Sequence, residues 1–276
     1  MARPIRIAAI SFLNTAPLMW QFEHQPTPQM QANFSIEYML PALCAQQLKS
    51  GVADMGIVPV ITTATIPDLE ILPGVAIASY SPVGSITLAS KDPIENVGTI
   101  AVDANSRTSV ALLQVLLTKF YGGPRKLVPM SPDLPSMLKR HDAALLIGDA
   151  ALTASTYGLF SYDLATLWRQ HTGLPFVFAV WAIRRQAVEE CDPQLPITEI
   201  FQRSRELGLR PENLASIARQ WAPKLGLTGE RIVSYLRDNI HYELDAECAK
   251  GLALYFHYAH ECGLIPAPPT LQFLQR

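Results

Sequence analysis

The sequence is short of most features that assign a protein at a glance. Its four cysteines, Cys44, Cys191, Cys248 and Cys262, lie far apart, and none sits in a C-x-x-C pair. That spacing excludes the common zinc patterns and the disulfide framework of a small secreted domain, leaving free buried thiols as the simpler reading. No block of like charges occurs. The formal net charge is −2 over 276 residues, with a pI near 6.3, so there is no basic excess of the kind a nucleic-acid surface needs. No apolar run reaches the ~18 residues of a membrane span, and no segment is of low complexity. The G-x-S-x-G elbow, the Walker loop and the G-x-G-x-x-G turn are all missing, which removes the serine-hydrolase, P-loop and dinucleotide-binding readings. The amino terminus, Met-Ala-Arg-Pro followed at once by a strand pattern, has neither the apolar core nor the cleavage site of a secretory signal, and predicts a cytoplasmic protein.

What is present is core-forming material. Hydrophobic residues make up 49% of the chain and charged residues 17%, enough for one large domain or two of moderate size. Through the first two thirds, short apolar strands alternate with amphipathic helices, which predicts an α/β fold with largely parallel sheets. The pattern repeats coarsely. "IRIAAI" leads through "SFLNT" to a helix, and later "PALCAQQLKSG" feeds "VADMGIV". In the second unit "GTIAVD" leads through "ANSRTS" to a helix, and later "DLPSMLKR" feeds "HDAALLIG". Two similar lobes are the natural product.

"PGVAIASYSPVGSITLAS" and "LPFVFAVWAIRR" are long, extended and rich in Val, Ile and Phe, and they read as two segments that cross between the lobes. The expected division is a discontinuous lobe I, residues 1–87 and 181–276, and lobe II, residues 88–180, with a ligand cleft between them. Beyond Arg185 the pattern is helical alone. A face of Ile200, Phe201, Ser204 and Leu207 predicts that this tail packs on the first lobe.

The chemistry lies in the turns. A buried face of Val110, Leu113, Leu116, Leu117 and Phe120 defines one helix, whose first turn coincides with Ser106, Arg107, Thr108 and Ser109. Helix starts leave unpaired N–H groups and a partial positive charge, a ready anion site. Ordinary capping by Ser or Thr explains the same residues without a ligand. The opening turn is equally double-edged. Asn14 or Thr15 could cap a helix carrying Pro17 in its first turn, yet Ser11 and Asn14 are more polar groups than one cap requires. The two turns hold equivalent positions in two lobes, and strand carboxyl ends facing a crevice are where open α/β sheets bind ligands. A third set comes from the crossing segment. Ser85 follows Gly84, where a ligand could approach the backbone, while Ser79, Ser81 and Thr87 read as facing water. Asp54 and Asp149 read as structural acceptors, and His257/His260 as a helix-surface pair rather than a metal site. No metal and no cofactor are expected.

Six blocks in order, "ISFLNTAPL", "GVADMGIVP", "PGVAIASYSPVGSI", "DANSRTSVALLQVLL", "AALLIGDAAL" and "LPFVFAVWAIR", resemble the chorismate dehydratases of the futalosine route to menaquinone. The resemblance covers about Ile5 to Arg184. It implies a two-lobed fold like the type II periplasmic binding proteins, with two crossing strands, and a lyase that removes water from chorismate to give 3-[(1-carboxyvinyl)oxy]benzoate. It further implies that Asn14 and Ser85 hold the reacting substrate, whose own enolpyruvyl carboxylate takes the ring proton. A substrate carboxylate would then meet Ser106, Arg107, Thr108 and Ser109, with Ser11 and Thr15 beside Asn14. Two departures stand out: "SPVGS" where the family often reads Gly-Pro-Val-Arg-Ser, and "VITTAT" after "VP". The competing readings are a non-catalytic solute-binding protein of the same fold and the related 1,4-dihydroxy-6-naphthoate synthase. The implied partner is a small anionic molecule, with no nucleic acid and no membrane.

Overall fold

The structure, a computed structural model, describes residues 3–80 and 82–275; Ser81 therefore lies outside the described residues. The chain begins with β1 (Ile5–Ile10), α1 (Trp20–His24), α2 (Pro28–Asn33), β2 (Phe34–Met39), α3 (Pro41–Ser50), β3 (Met55–Pro59) and β4 (Leu69–Ser79). It continues through β5 (Ile86–Ser90), β6 (Thr99–Asp103), α4 (Thr108–Phe120), β7 (Lys126–Met130), α5 (Leu134–Arg140), β8 (Ala143–Ile147), α6 (Gly148–Thr153), β9 (Phe160–Asp163) and α7 (Leu164–Thr172). The last part is β10 (Phe176–Arg184), α8 (Arg185–Glu190), α9 (Ile197–Gly208), α10 (Pro211–Leu225), α11 (Gly229–Ser234), α12 (Ala246–Glu261) and β11 (Gln272–Phe273).

Two sheets form two lobes, in the orders β11-β4-β10-β3-β1-β2 and β7-β6-β8-β5-β9. The repeat read from the sequence is real. β1 lies between β2 and β3 with both pairings parallel, and β6 lies likewise between β7 and β8. Such strands are covered on both faces, which is why β1 and β8 read as nearly unbroken apolar runs. The expectation of largely parallel sheets needs correction, because both are mixed. β10 runs antiparallel to β3 and β4, and β5 runs antiparallel to β8 and β9. Each of these strands enters its sheet from the other lobe and so runs against its neighbours.

The repeat also has an anchor in each unit, Asp54 in the first and Asp142 in the second. Asp54 accepts from the Arg6 backbone N–H at 2.9 Å, and Asp142 accepts from the N–H groups of Gly98 and Thr99 at 3.1 and 2.7 Å. Asp54 ties the start of β3 to the start of β1, and Asp142 ties the start of β8 to the start of β6. Burial alone would raise the Asp54 carboxyl, but hydrogen bonds from Arg6 and Arg3 outweigh it and hold the group well below the usual carboxylate range.

The helical tail packs on the first lobe through α9, whose Phe201 ring meets Phe34 and Trp181 edge-on and Phe22 at a tilt. It also reaches the second lobe. Arg231 donates to the Leu152 carbonyl at 2.9 Å, and Lys119 of α4 pairs with Glu261 of α12. Where the sequence predicts one helix over "TGERIVSYLRDNI", α11 ends at Ser234 and a π-helical turn follows, Tyr235–Asn239. Among the described residues no helix is long and apolar enough to cross a membrane.

Candidate functional site

A cleft of about 530 Å³, its mouth included, opens between the carboxyl ends of the two sets of strands. Its first wall comes from lobe I: Ile10 and Phe12 at the end of β1, Asn14, Pro59 at the end of β3, and Ile77 of β4. Its second comes from lobe II: Ser106 to Ser109 ahead of and at the start of α4, with Ile147 and Gly148 at the end of β8. Ser85 sits between them on the crossing segment.

Six of the eight residues singled out in the sequence, Asn14, Ser85, Ser106, Arg107, Thr108 and Ser109, line this cleft. Ser11 and Thr15 do not. Ser11 is exposed and turned toward β2, where its N–H and Oγ both donate to the Met39 carbonyl. Thr15 is buried behind Asn14, and its hydroxyl donates to Asn14 Oδ1 at 3.4 Å. Neither Asn14 nor Thr15 caps a helix. The segment Leu13–Thr15 is a 3₁₀ turn without a side-chain cap, and α1 starts only at Trp20. Freed from capping, the Asn14 amide remains at the cleft.

Capping also fails as an account of the second turn. The N-cap of α4 is Arg107, with no side-chain cap hydrogen bond. Thr108 Oγ1 is used elsewhere, accepting from Ile61 N–H across the cleft at 3.3 Å. Ser106 Oγ is buried and has no hydrogen-bond partner among the described residues. An unpaired buried hydroxyl costs about 1–3 kcal/mol, and at a cleft wall it fits a group that a ligand would satisfy. Arg107 is exposed at the same rim and is the one charged side chain among the described lining residues.

Ser85 is 1% exposed. Its hydroxyl accepts from the Tyr235 phenol at 2.9 Å. The reading of Ser79 as water-facing is corrected: it is buried and donates to the Asn239 carbonyl at 2.9 Å. Gly84 is exposed, outside the cleft lining, and donates its N–H to Asp163 Oδ2 at 2.7 Å.

The two walls are latched together at one corner. Asp149 accepts from the Leu13 N–H at 3.1 Å, and burial pushes its carboxyl up to about 6 against the lowering effect of that bond. Sequence reasoning missed Phe12, Asn105, Gly148 and Tyr235. Gly148 could have been found, as a glycine directly after an apolar strand; Tyr235 carries no local signal.

Among the described residues, His241, Asp245 and Cys248 place their ligand-type atoms within 4.8 Å of one another, outside the cleft. Internal bonds already occupy Asp245. Oδ2 accepts from Tyr80 and pairs with His241, and Oδ1 accepts from Cys248 N–H. This is the N-cap network of α12 rather than an open metal centre.

The family model for menaquinone biosynthesis matches residues 5–261. A chorismate dehydratase of Thermus thermophilus is 30% identical over 284 residues, covering 96% of this chain and 98% of that protein. Among solved structures, a protein of Archaeoglobus fulgidus superposes with a TM-score of 0.73 at 20% identity, covering 95% of this chain and 99% of that one. The periplasmic aliphatic sulphonate binding protein of Escherichia coli gives 0.66 at 18% identity, covering 100% and 96%. The last two likenesses concern the fold, which is that of the periplasmic binding proteins.

Proposed function

The chain belongs to the menaquinone biosynthesis family, and on that premise we propose that it is a chorismate dehydratase acting in the cytoplasm on the futalosine route. It removes water from chorismate and forms 3-[(1-carboxyvinyl)oxy]benzoate. The observation that carries this reading is the 30% identity to the Thermus thermophilus chorismate dehydratase along essentially the whole of both chains. The site agrees with it.

Loss of a ring proton and of the neighbouring hydroxyl makes the ring aromatic, so the elimination runs strongly downhill. What the protein must supply is placement and hydrogen bonding, not a covalent intermediate. Among the described lining residues none is Asp, Glu, His, Lys or Cys. That supports a substrate-assisted step in which the enolpyruvyl carboxylate takes the ring proton. Asn14 and Ser85 hold the reacting part of the substrate. A carboxylate lies against the uncapped start of α4, where Ser106 Oγ and Arg107 are available to it.

The lobe division at 87/88 and 180/181 puts this site between two bodies. It is supported to within a few residues by the change of sheet between Ser79 and Ile86 and between Asp163 and Phe176.

The test is to incubate purified protein with chorismate, without added cofactor or metal, and to follow mass and ultraviolet absorbance. A product one water lighter with a benzoate spectrum establishes the reaction. Chorismate bound and recovered unchanged would mark a binding protein instead.

A further inference from the structure

The tail sends a tyrosine to the serine at the centre of the cleft. Tyr235 is 5% exposed and lies 150 positions from Ser85, to whose Oγ its phenol donates at 2.9 Å. It occupies the first position of the π-helical turn Tyr235–Asn239; such turns recur at functional sites. The far end of the same turn is pinned beside Ser85. Asn239 Nδ2 donates to the Pro82 carbonyl at 2.6 Å, and the Asn239 carbonyl accepts from Ser79 Oγ. The turn thus grips the crossing segment ahead of the serine and touches the serine itself.

We propose that Tyr235 is a positioning residue for the dehydration, and that its hydrogen bond aims the single Ser85 hydroxyl hydrogen into the cleft, at an oxygen of the bound substrate. This rests on the reading of Ser85 as a substrate-holding residue. A serine hydroxyl has one hydrogen and two lone pairs. The phenol is the more acidic of the two hydroxyls and so the better donor. Once it occupies a lone pair, the serine hydrogen must point elsewhere. Among the described residues Ser85 Oγ has no second partner, and Ser85 lines the cleft. Asn14 is held separately, by Thr15 through its Oδ1. Burial raises the Tyr235 hydroxyl above its ordinary value, so it keeps its proton throughout the neutral range and remains a donor.

Tyr235→Phe removes the hydroxyl and little else. The expected result with chorismate is a kcat reduced about tenfold or more, a KM within about threefold, and a thermal midpoint shifted by only a few degrees. In a Ser85→Ala background the same change should have no further effect on kcat, because the group it orients is already gone. An unchanged kcat in Tyr235→Phe, or an equal loss in both backgrounds, would overturn the proposal.

A readout independent of turnover accompanies this. In protein labelled at tyrosine Cζ with ¹³C, the Tyr235 resonance is identified by its disappearance in Tyr235→Phe, and it should move in Ser85→Ala. If the wild-type protein leaves chorismate unchanged, the proposed reaction falls. A displaced resonance then still supports Tyr235 as the group that orients Ser85, and an undisplaced one removes it.

Discussion

The ring of Phe12 occupies the space that a side chain on Gly148 would need. A Cβ placed on Gly148 comes within 2.6 Å of Phe12 Cδ2 and 2.7 Å of Cε2, and Gly148 holds a left-handed φ of +57°. Phe12 follows β1 of one lobe and Gly148 follows β8 of the other. The contact therefore sets how near the two cleft walls can come. Gly148→Ala should cost about 1–2 kcal/mol for the left-handed backbone and about 1–3 kcal/mol for overpacking, while pushing Phe12 out of the wall. A urea midpoint equal to that of the wild type, together with an unaltered KM for chorismate, would show that the wall tolerates the extra carbon.

Asp149 makes the same junction sensitive to pH. Its carboxyl is raised by burial to about 6, so the folded protein holds this proton over a range where the unfolded chain has lost it. The associated stability is present below the unfolded carboxylate pKa near 4 and is lost as pH rises through about 6. The loss is on the order of 2–3 kcal/mol. Asp149→Asn keeps an acceptor for the Leu13 N–H and has no proton to lose. The variant should gain stability relative to wild type between pH 4.5 and 7.5 in urea titrations. An identical difference at both pH values would mean that Asp149 titrates normally.

Asn14→Asp tests the charge of the site. A carboxylate at the cleft wall repels an anionic substrate, while its size and its contact with Thr15 are retained. KM for chorismate is expected to rise at least tenfold, equivalent to about 1.4 kcal/mol, with the thermal midpoint little changed. Wild-type kinetics in this variant would remove Asn14 from the site.

Ser106→Ala should separate stability from binding. The hydroxyl is buried without a partner in the free protein, so deleting it is neutral or stabilising by up to about 1–3 kcal/mol. If a substrate carboxylate uses that hydroxyl, the same deletion weakens chorismate binding by roughly five- to tenfold, about 1 kcal/mol. Calorimetric titration beside a melting curve reads both. Affinity and stability falling together would assign Ser106 an ordinary structural bond.

The sequence by itself determined the parts that depend on neighbours along the chain. Buried parallel strands must be apolar on both faces, so β1, β3, β6 and β8 were visible as runs. The two polar turns after β1 and β6 were visible because hydroxyl and amide side chains interrupt those runs, and six of the eight residues chosen from the turns and the crossing segment line the cleft.

Local pattern misjudged Ser11 and Thr15. Which way a side chain leaves a turn depends on what packs behind it, here the Met39 carbonyl and Asn14. Only the tertiary structure could decide that Phe12 closes on Gly148, that Leu13 meets Asp149 across 136 positions, and that Tyr235 reaches Ser85 from the tail. Such contacts are set by how two lobes and a helical tail dock. Docking depends on the complementary shape of surfaces assembled from distant segments, and no periodicity within any one segment encodes it.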